Sequence, residues 1–298
     1  MNERRVWLVL LVVPPLLWAG NALVGRAVVG TMDPIELSFW RWLLALAILL
    51  PFTVDRLLAH APLLLRQWKV VAVMGVCSVS AYNTLLYMAM HTTTAINATL
   101  MGAVMPLMIL LLGRLWLGDP IRPAQALGIA VSAFGMLAVV TRGEPGRLLD
   151  LALTPGDGLM ILATLAWAVY SVMLRRFPLA VPGATLLTAL IIVGLAALTP
   201  PFLWHAVTGP VRPVSGAMLA AIAYTGVFAS LVAFYFWNRG VAAVGAATAG
   251  QYSYLIPLFT ALLAIPLLGE EFHWYHALGG GLIFAGLFLA TRRRSRRA

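Results

Sequence analysis

The sequence predicts an all-α membrane protein: ten transmembrane helices arranged as two inverted five-helix repeats. Three observations carry the prediction. The 298-residue chain is 62% hydrophobic and 10% charged, with a mean hydropathy of +0.93, whereas a soluble domain is usually about 25% charged. Its apolar residues run in blocks long enough to cross a bilayer, which takes about 20 residues each. The chain also repeats itself. Shifted by 151 positions, Gly75 to Val140 lies over Gly226 to Thr291 without a gap.

Within that repeat Ala95 falls on Ala246, Pro106-Leu107 on Pro257-Leu258, and Leu117-Gly118-Asp119 on Leu268-Gly269-Glu270. Ala126-Leu127-Gly128 falls on Ala277-Leu278-Gly279, and Gly135 on Gly286. Upstream the register slips by a residue or two, with Trp18-Ala19 on Trp167-Ala168, Arg26 on Arg175 and Pro34 on Pro182. The reading divides the chain into a first repeat at 1–141, an outer linker at 142–156, and a second repeat with a basic cytoplasmic tail at 157–298.

The first span, roughly 5–29, follows Arg4-Arg5 and reads as a retained helix rather than a signal peptide, because no small-residue cleavage site ends it. The second is roughly 34–54, between the breakers Asp33-Pro34 and Ala61-Pro62, and the third roughly 69–90. The fourth, roughly 95–117, carries Asn97, Met101, Met105 and Met108 on one helical face and Pro106 in its middle. The fifth is roughly 122–141. The mixed charges of the linker, among them Glu144 and Arg147, suit a loop. The sixth to tenth spans follow at roughly 157–176, 182–204, 214–238, 245–268 and 273–292. Gly279-Gly280-Gly281 in the tenth reads as a close-packing face.

Charge sets the orientation. With the N-terminus inside, the inner loops collect Arg56, Arg66, Lys69, Arg114, Arg122, Arg175, Arg176, Arg239 and the tail Arg292 to Arg297. The outer side keeps Arg26, Arg142, Arg147 and Arg212 together with most of the acids. This asymmetry puts both termini in the cytoplasm. Five helices per half is odd, so the halves enter the membrane in opposite directions, the pattern of alternating-access carriers.

Other functions find no footing. The net charge of +10 resides at helix ends and in the tail, where it faces anionic lipid rather than nucleic acid. The single cysteine, Cys77, reads as core filler. The five histidines are scattered, and no metal cluster, phosphate loop or catalytic pair is visible. The expectation is therefore no enzyme, no metal and no cofactor, with a bilayer and a small molecule as partners and a monomer as the working unit.

The motifs resemble the EamA branch of the drug/metabolite transporter superfamily. The likeness rests on Trp18-Ala19-Gly20-Asn21, Phe39-x-Arg41, Pro106 and Pro257. It rests also on the signature Leu268-Gly269-Glu270 with Gly279 and Gly286 behind it, and on its degenerate copy in the first half. The pattern is most similar to bacterial aromatic amino-acid and paraquat exporters. The resemblance implies a bacterial inner-membrane protein exporting small metabolites, amino acids prominent among them. A broad efflux pump for cationic aromatic drugs such as methyl viologen is the alternative.

Candidate binding residues are Trp18, Asn21, Tyr82, Asn83, Asn97, Met101, Trp167, Tyr170, Tyr235, Thr248, Gln251 and Tyr252, polar or aromatic and mostly placed in mid-span. An amide facing hydrocarbon is expensive, and several of these positions keep their character in both repeats. Each aromatic keeps a second reading in core packing or an interfacial belt. Trp42, near a predicted span end, is read as belt. Pro106 and Pro257 are candidate hinges, or static kinks. Arg41 is the one ionisable residue clearly within a span, either a partner for a substrate carboxylate or a structural group pairing with Glu36 or carbonyls at the outer rim.

Overall fold

The computed structural model describes residues 3–118, 120–121, 123–144, 154–210, 213–244, 252–253 and 255–291. All regular structure among the described residues is helical. In chain order the helices are α1 (Glu3–Leu10), α2 (Val13–Ala27), α3 (Pro34–Arg66), α4 (Trp68–Gly75), α5 (Tyr82–Ala89), α6 (Ala95–Gly102) and α7 (Met105–Leu117). They continue as α8 (Pro123–Val140), α9 (Pro155–Arg176), α10 (Gly183–Thr208), α11 (Gly216–Ala223), α12 (Ala233–Val244), α13 (Leu255–Leu268) and α14 (Trp274–Thr291). Seven helical stretches are long and apolar enough to cross a membrane: Arg5–Ala27, Pro34–Arg66, Trp68–Ala89, Ala95–Leu117, Pro155–Leu174, Gly183–Thr208 and Gly216–Trp237. Of the other three expected stretches, 122–141, 245–268 and 273–292, the described parts form α8, α13 and α14, of 18, 14 and 18 residues.

The second helix is far longer than expected. It starts at a capping box, where the Asp33 side chain accepts from Ile35 N at 2.8 Å and Glu36 accepts from Asp33 N at 3.3 Å. It then runs 33 residues through Pro51 and Pro62. At 1.5 Å per residue that is roughly 50 Å, well beyond a hydrocarbon core of about 30 Å. Ala61-Pro62 is therefore not a loop; the leucine- and alanine-rich sequence around it keeps helical winding through the imide.

Two helices widen in the middle. Val76–Ala81, between α4 and α5, and Tyr224–Val232, between α11 and α12, are π-helical. In the second, Ser230 Oγ donates to the Thr225 carbonyl five residues back at 2.9 Å. Both segments end at the same repeat position, since 81 + 151 = 232. π turns of this kind collect at functional sites.

The fourth expected helix, one apolar stretch from Ala95 to Leu117, is interrupted in its winding near the middle. It stops at Gly102 and restarts at Met105, with a tight turn through Ala103 and Val104. Pro106 stands in the first turn of α7, where its missing N–H costs nothing. Pro257 sits likewise in the first turn of α13.

The halves meet with reciprocal contacts. α8 packs against α14. A Cβ on Gly135 would lie 2.6 Å from the Gly279 carbonyl oxygen, and one on Gly286 would lie 2.4 Å from that of Gly128. The shift of 151 exchanges these two contacts, which run antiparallel: as position advances along α8 it recedes along α14. In the same way a Cβ on Gly75 would lie 2.9 Å from the Leu190 carbonyl oxygen, and one on Gly226 would lie 2.8 Å from that of Arg41. Arg41 falls on Leu190 in the upstream register that pairs Trp18 with Trp167. Only backbone-to-backbone proximity fits such spacing, which is why glycine stands at all of these positions. Two larger apolar cores flank the centre, one around Tyr87, Met90 and Met101, the other around Trp42, Met74 and Leu190.

Candidate functional site

A cavity of about 490 Å³ lies between the helices, within the size range of small-molecule sites. Both repeats line it at matching positions. Trp18 and Trp167, Asn21 and Tyr170, and Ala22 and Ser171 all face it, as do Asn83 and Phe234, Leu86 and Trp237, Gly102 and Ser253, and Met105 and Ile256. Pro106 and Pro257 both line it as well.

Two aromatic clusters form the walls. Tyr82 and Trp167 lie 5.0 Å apart between ring centroids, and Trp167 and Tyr170 5.3 Å. In the other cluster Trp18 lies 5.3 Å from Trp237 and 6.2 Å from Phe234 in an edge-on arrangement. Trp18 is fixed by its indole N–H, which donates to the Ala229 carbonyl at 3.1 Å. The walls thus offer ring faces and edges to an apolar or aromatic group.

The polar part is one web around Arg41. Its Nη1 donates to Asn21 Oδ1 at 2.9 Å, to Asn83 Oδ1 at 2.8 Å and to the Tyr87 hydroxyl. Tyr87 in turn donates to Asn21 Oδ1 at 2.6 Å. Nη2 donates to Ser230 Oγ at 2.7 Å. The guanidinium also lies 5.1 Å from the Trp42 ring centre. Arg41 is 2% exposed. Among the described residues, the partners of this buried cation are all uncharged. Glu36 serves elsewhere, closing the α3 cap and approaching His205 Nε2 at 3.7 Å. The outer-rim pairing open to Arg41 in the sequence is not the one it makes.

The remaining candidates fall elsewhere. Asn97 is buried outside the cavity lining, its Oδ1 2.8 Å from Nε2 of His276. Met101 is packed in a core. Tyr235 is 55% exposed on the outside of α12, beside Phe236 and Arg239. Tyr252 donates to the Leu8 carbonyl at 2.7 Å. Thr248 and Gln251 lie outside the described residues, as do the basic tail and most of the 142–156 linker. The face of the fourth helix that reaches the cavity holds Ala98, Gly102 and Met105, one step round from the Asn97 and Met101 face. Reasoning from sequence missed Trp42, Phe234 and Trp237. For the last two a signal existed: the repeat puts Phe234 on Asn83 and Trp237 on Leu86. Trp42, read as an interfacial belt residue, is 2% exposed, packs in the core with Leu190 and lines the cavity, because that face of α3 turns inward.

Apolar span-length helices around a cavity of this size define a multi-pass membrane protein that handles a small molecule. The sequence matches the EamA-like transporter family over residues 5–141 and 154–292, and the chain belongs to that family of transporters. A solved crystal structure with 24% identity has the same fold, with a TM-score of 0.63 over 96% of this chain and 97% of that one. An uncharacterized transporter of Archaeoglobus fulgidus is 27% identical over 96% of this chain and 97% of its own length. The aromatic amino acid exporter YddG of Ancylobacter novellus is 27% identical over 76% of this chain and 77% of its own. A probable terminal-alkyne amino-acid exporter of Streptantibioticus cattleyicolor is 27% identical over 76% and 74%.

Proposed function

We propose that this transporter exports amino acids, aromatic and other neutral ones, and related small metabolites from the cytoplasm across the inner membrane. It does so by alternating access of two inverted five-helix repeats, 1–141 and 157–298, with both termini cytoplasmic. The observation that carries this reading is the cavity lined from both repeats at matching positions by aromatic rings and amides. Aromatic walls suit an apolar side chain, and Asn21 and Asn83 suit the polar end of an amino acid. Trp18, Tyr82, Trp167 and Tyr170 are its aromatic contacts. The reciprocal antiparallel glycine contacts of α8 and α14 support the inverted arrangement, since a two-fold axis in the membrane plane relates such helices.

The competing reading, efflux of aromatic cations, asks for an acidic group in the cavity. Among the described residues the lining holds one charged side chain, Arg41, and it is positive. The relatives that name a substrate name amino acids.

The test is uptake into proteoliposomes of radiolabelled amino acids and of methyl viologen, with and without a pH gradient. Saturable movement of aromatic amino acids is expected. Transport of methyl viologen alone sinks the reading. Orientation is tested separately: a single cysteine at position 148 in a Cys77→Ser background should react with an impermeant reagent in intact cells.

A further inference from the structure

Three facts single out one edge of Arg41. The three acceptors around Nη1 saturate that nitrogen. Nε is buried with no hydrogen-bond partner. Nη2, beside it, has only Ser230 Oγ. The Nε–Nη2 edge of a guanidinium presents two parallel N–H bonds, which match the two oxygens of a carboxylate. The structure therefore holds this edge half-used, and holds it rigidly, because Asn21, Asn83 and Tyr87 lock the opposite end.

Ser230 behaves as a place-holder. Its own proton goes to the Thr225 carbonyl, so it meets Arg41 as a pure acceptor, as a carboxylate oxygen would. Ser230 belongs to the second repeat, whereas Arg41 and its three Nη1 partners belong to the first. Parting of the halves removes the serine and leaves the edge open. The repeat itself marks the site as single-sided: the counterpart of Arg41 is Leu190, that of Asn83 is Phe234, and that of Asn21 is Tyr170. In each pair the first-half residue is polar or charged and its second-half counterpart is apolar or aromatic.

We infer that the Nε–Nη2 edge of Arg41 binds the carboxylate of the transported molecule in exchange for Ser230. The substrate class is therefore carboxylates carrying an apolar or aromatic group, with or without an amine. This deepens the proposed function and rests on its alternating-access reading.

The experiment is fluorescence titration of the purified full-length protein, using the cavity tryptophans, with 3-phenylpropionate, 3-phenylpropionamide and phenethylamine. The carboxylate should bind about tenfold or more tighter than the amide or the amine, the size of one charge-assisted pair of hydrogen bonds. Arg41→Gln, checked for monodispersity, should erase the preference, and Arg41→Lys should keep part of it. Ser230→Ala, which leaves the three Nη1 partners of Arg41 in place, should tighten carboxylate binding about threefold by removing the competing acceptor. Equal affinity for carboxylate and amide in the wild type overturns the inference, as does a preference that survives Arg41→Gln or a Ser230→Ala variant with unchanged or weaker carboxylate binding. If carboxylates bind with the expected preference but no amino acid is transported, the proposed function falls and the carboxylate site stands. If phenylalanine is transported and the amide binds as well as the acid, the reverse holds.

Discussion

Ser132 and Ile283 occupy one position of the repeated sequence, and they touch: the Ser132 hydroxyl donates to the Ile283 carbonyl at 3.0 Å. On the proposed inverted-repeat reading, a residue that meets its own counterpart lies on the axis relating the two. The Gly135–Gly279 and Gly286–Gly128 contacts flank it symmetrically. Contact of i with j matched by contact of j with i is the mark of a two-fold interface.

This seam has no spare volume. Gly135→Val or Gly286→Val should destabilise the protein by about 1–3 kcal/mol through overpacking, read as a lower melting temperature in detergent. Gly158→Ala is the contrast: its Cβ meets nothing within 4 Å, and helix propensity predicts a gain of up to about 1 kcal/mol. Equal effects at all three positions would contradict the packing argument.

Glu270 is the acid of the Leu-Gly-Glu signature, and it caps α6 from across the molecule. Its two oxygens accept from Ala95 N at 2.7 Å and Ile96 N at 3.1 Å. A carboxylate there satisfies orphan donors and faces the positive end of the helix. Glu270→Ala should cost about 0.5–2 kcal/mol, the range of a lost cap, with Glu270→Gln intermediate. Thermal unfolding by intrinsic fluorescence checks the order of the three proteins.

On the proposed reading, the aromatic walls contact the substrate. Tyr82→Ala and Trp167→Ala should each reduce liposome uptake about tenfold or more at unchanged expression, since burying a large ring contributes roughly 1.5–3 kcal/mol. Trp167→Phe should retain most of the activity. Asn97→Ala should instead lower the melting temperature, because it strips the buried Nε2 of His276 of its partner, and should leave the apparent affinity for substrate near the wild-type value.

The paired prolines invite a reciprocal test. Pro106→Ala lets α7 extend backward into the Ala103–Val104 turn, and Pro257→Ala restores a backbone N–H in the first turn of α13. If each break flexes in the gate of its own half, the two variants bias the protein toward opposite access states. Cysteines near the outer and inner mouths would report this as opposite changes in labelling rate. Identical labelling, with normal transport, reduces both to static breaks.

Much of the architecture could be read from the chain, because long apolar blocks and a repeat survive any detail of packing. The positions of α8 and α14 follow from the repeat alone. What failed was the choice of helical face. Asn97 and Met101 have the right spacing, but spacing does not say which side a helix turns inward, and the break after Gly102 resets it. Trp18 and Trp167 both line the cavity, as do repeat-matched positions other than those first singled out. The length of α3 was hidden because proline reads as a breaker, although a helix of leucine and alanine can carry it. The π segments leave no mark in composition, yet they decide where Asn83, Ser230 and Phe234 point.

That last dependence has a mechanical corollary. A π segment is a helix carrying slack, about one residue more than its length requires. At 3.6 residues per turn, taking up that residue swings everything beyond it through about 100°. In the first repeat the swing would lift Asn83 and Tyr87 off Arg41; in the second it would carry Phe234 and Trp237 out of the cavity wall. Under the proposed alternating-access reading, such a rotation would change the surface that the cavity presents without unfolding either helix.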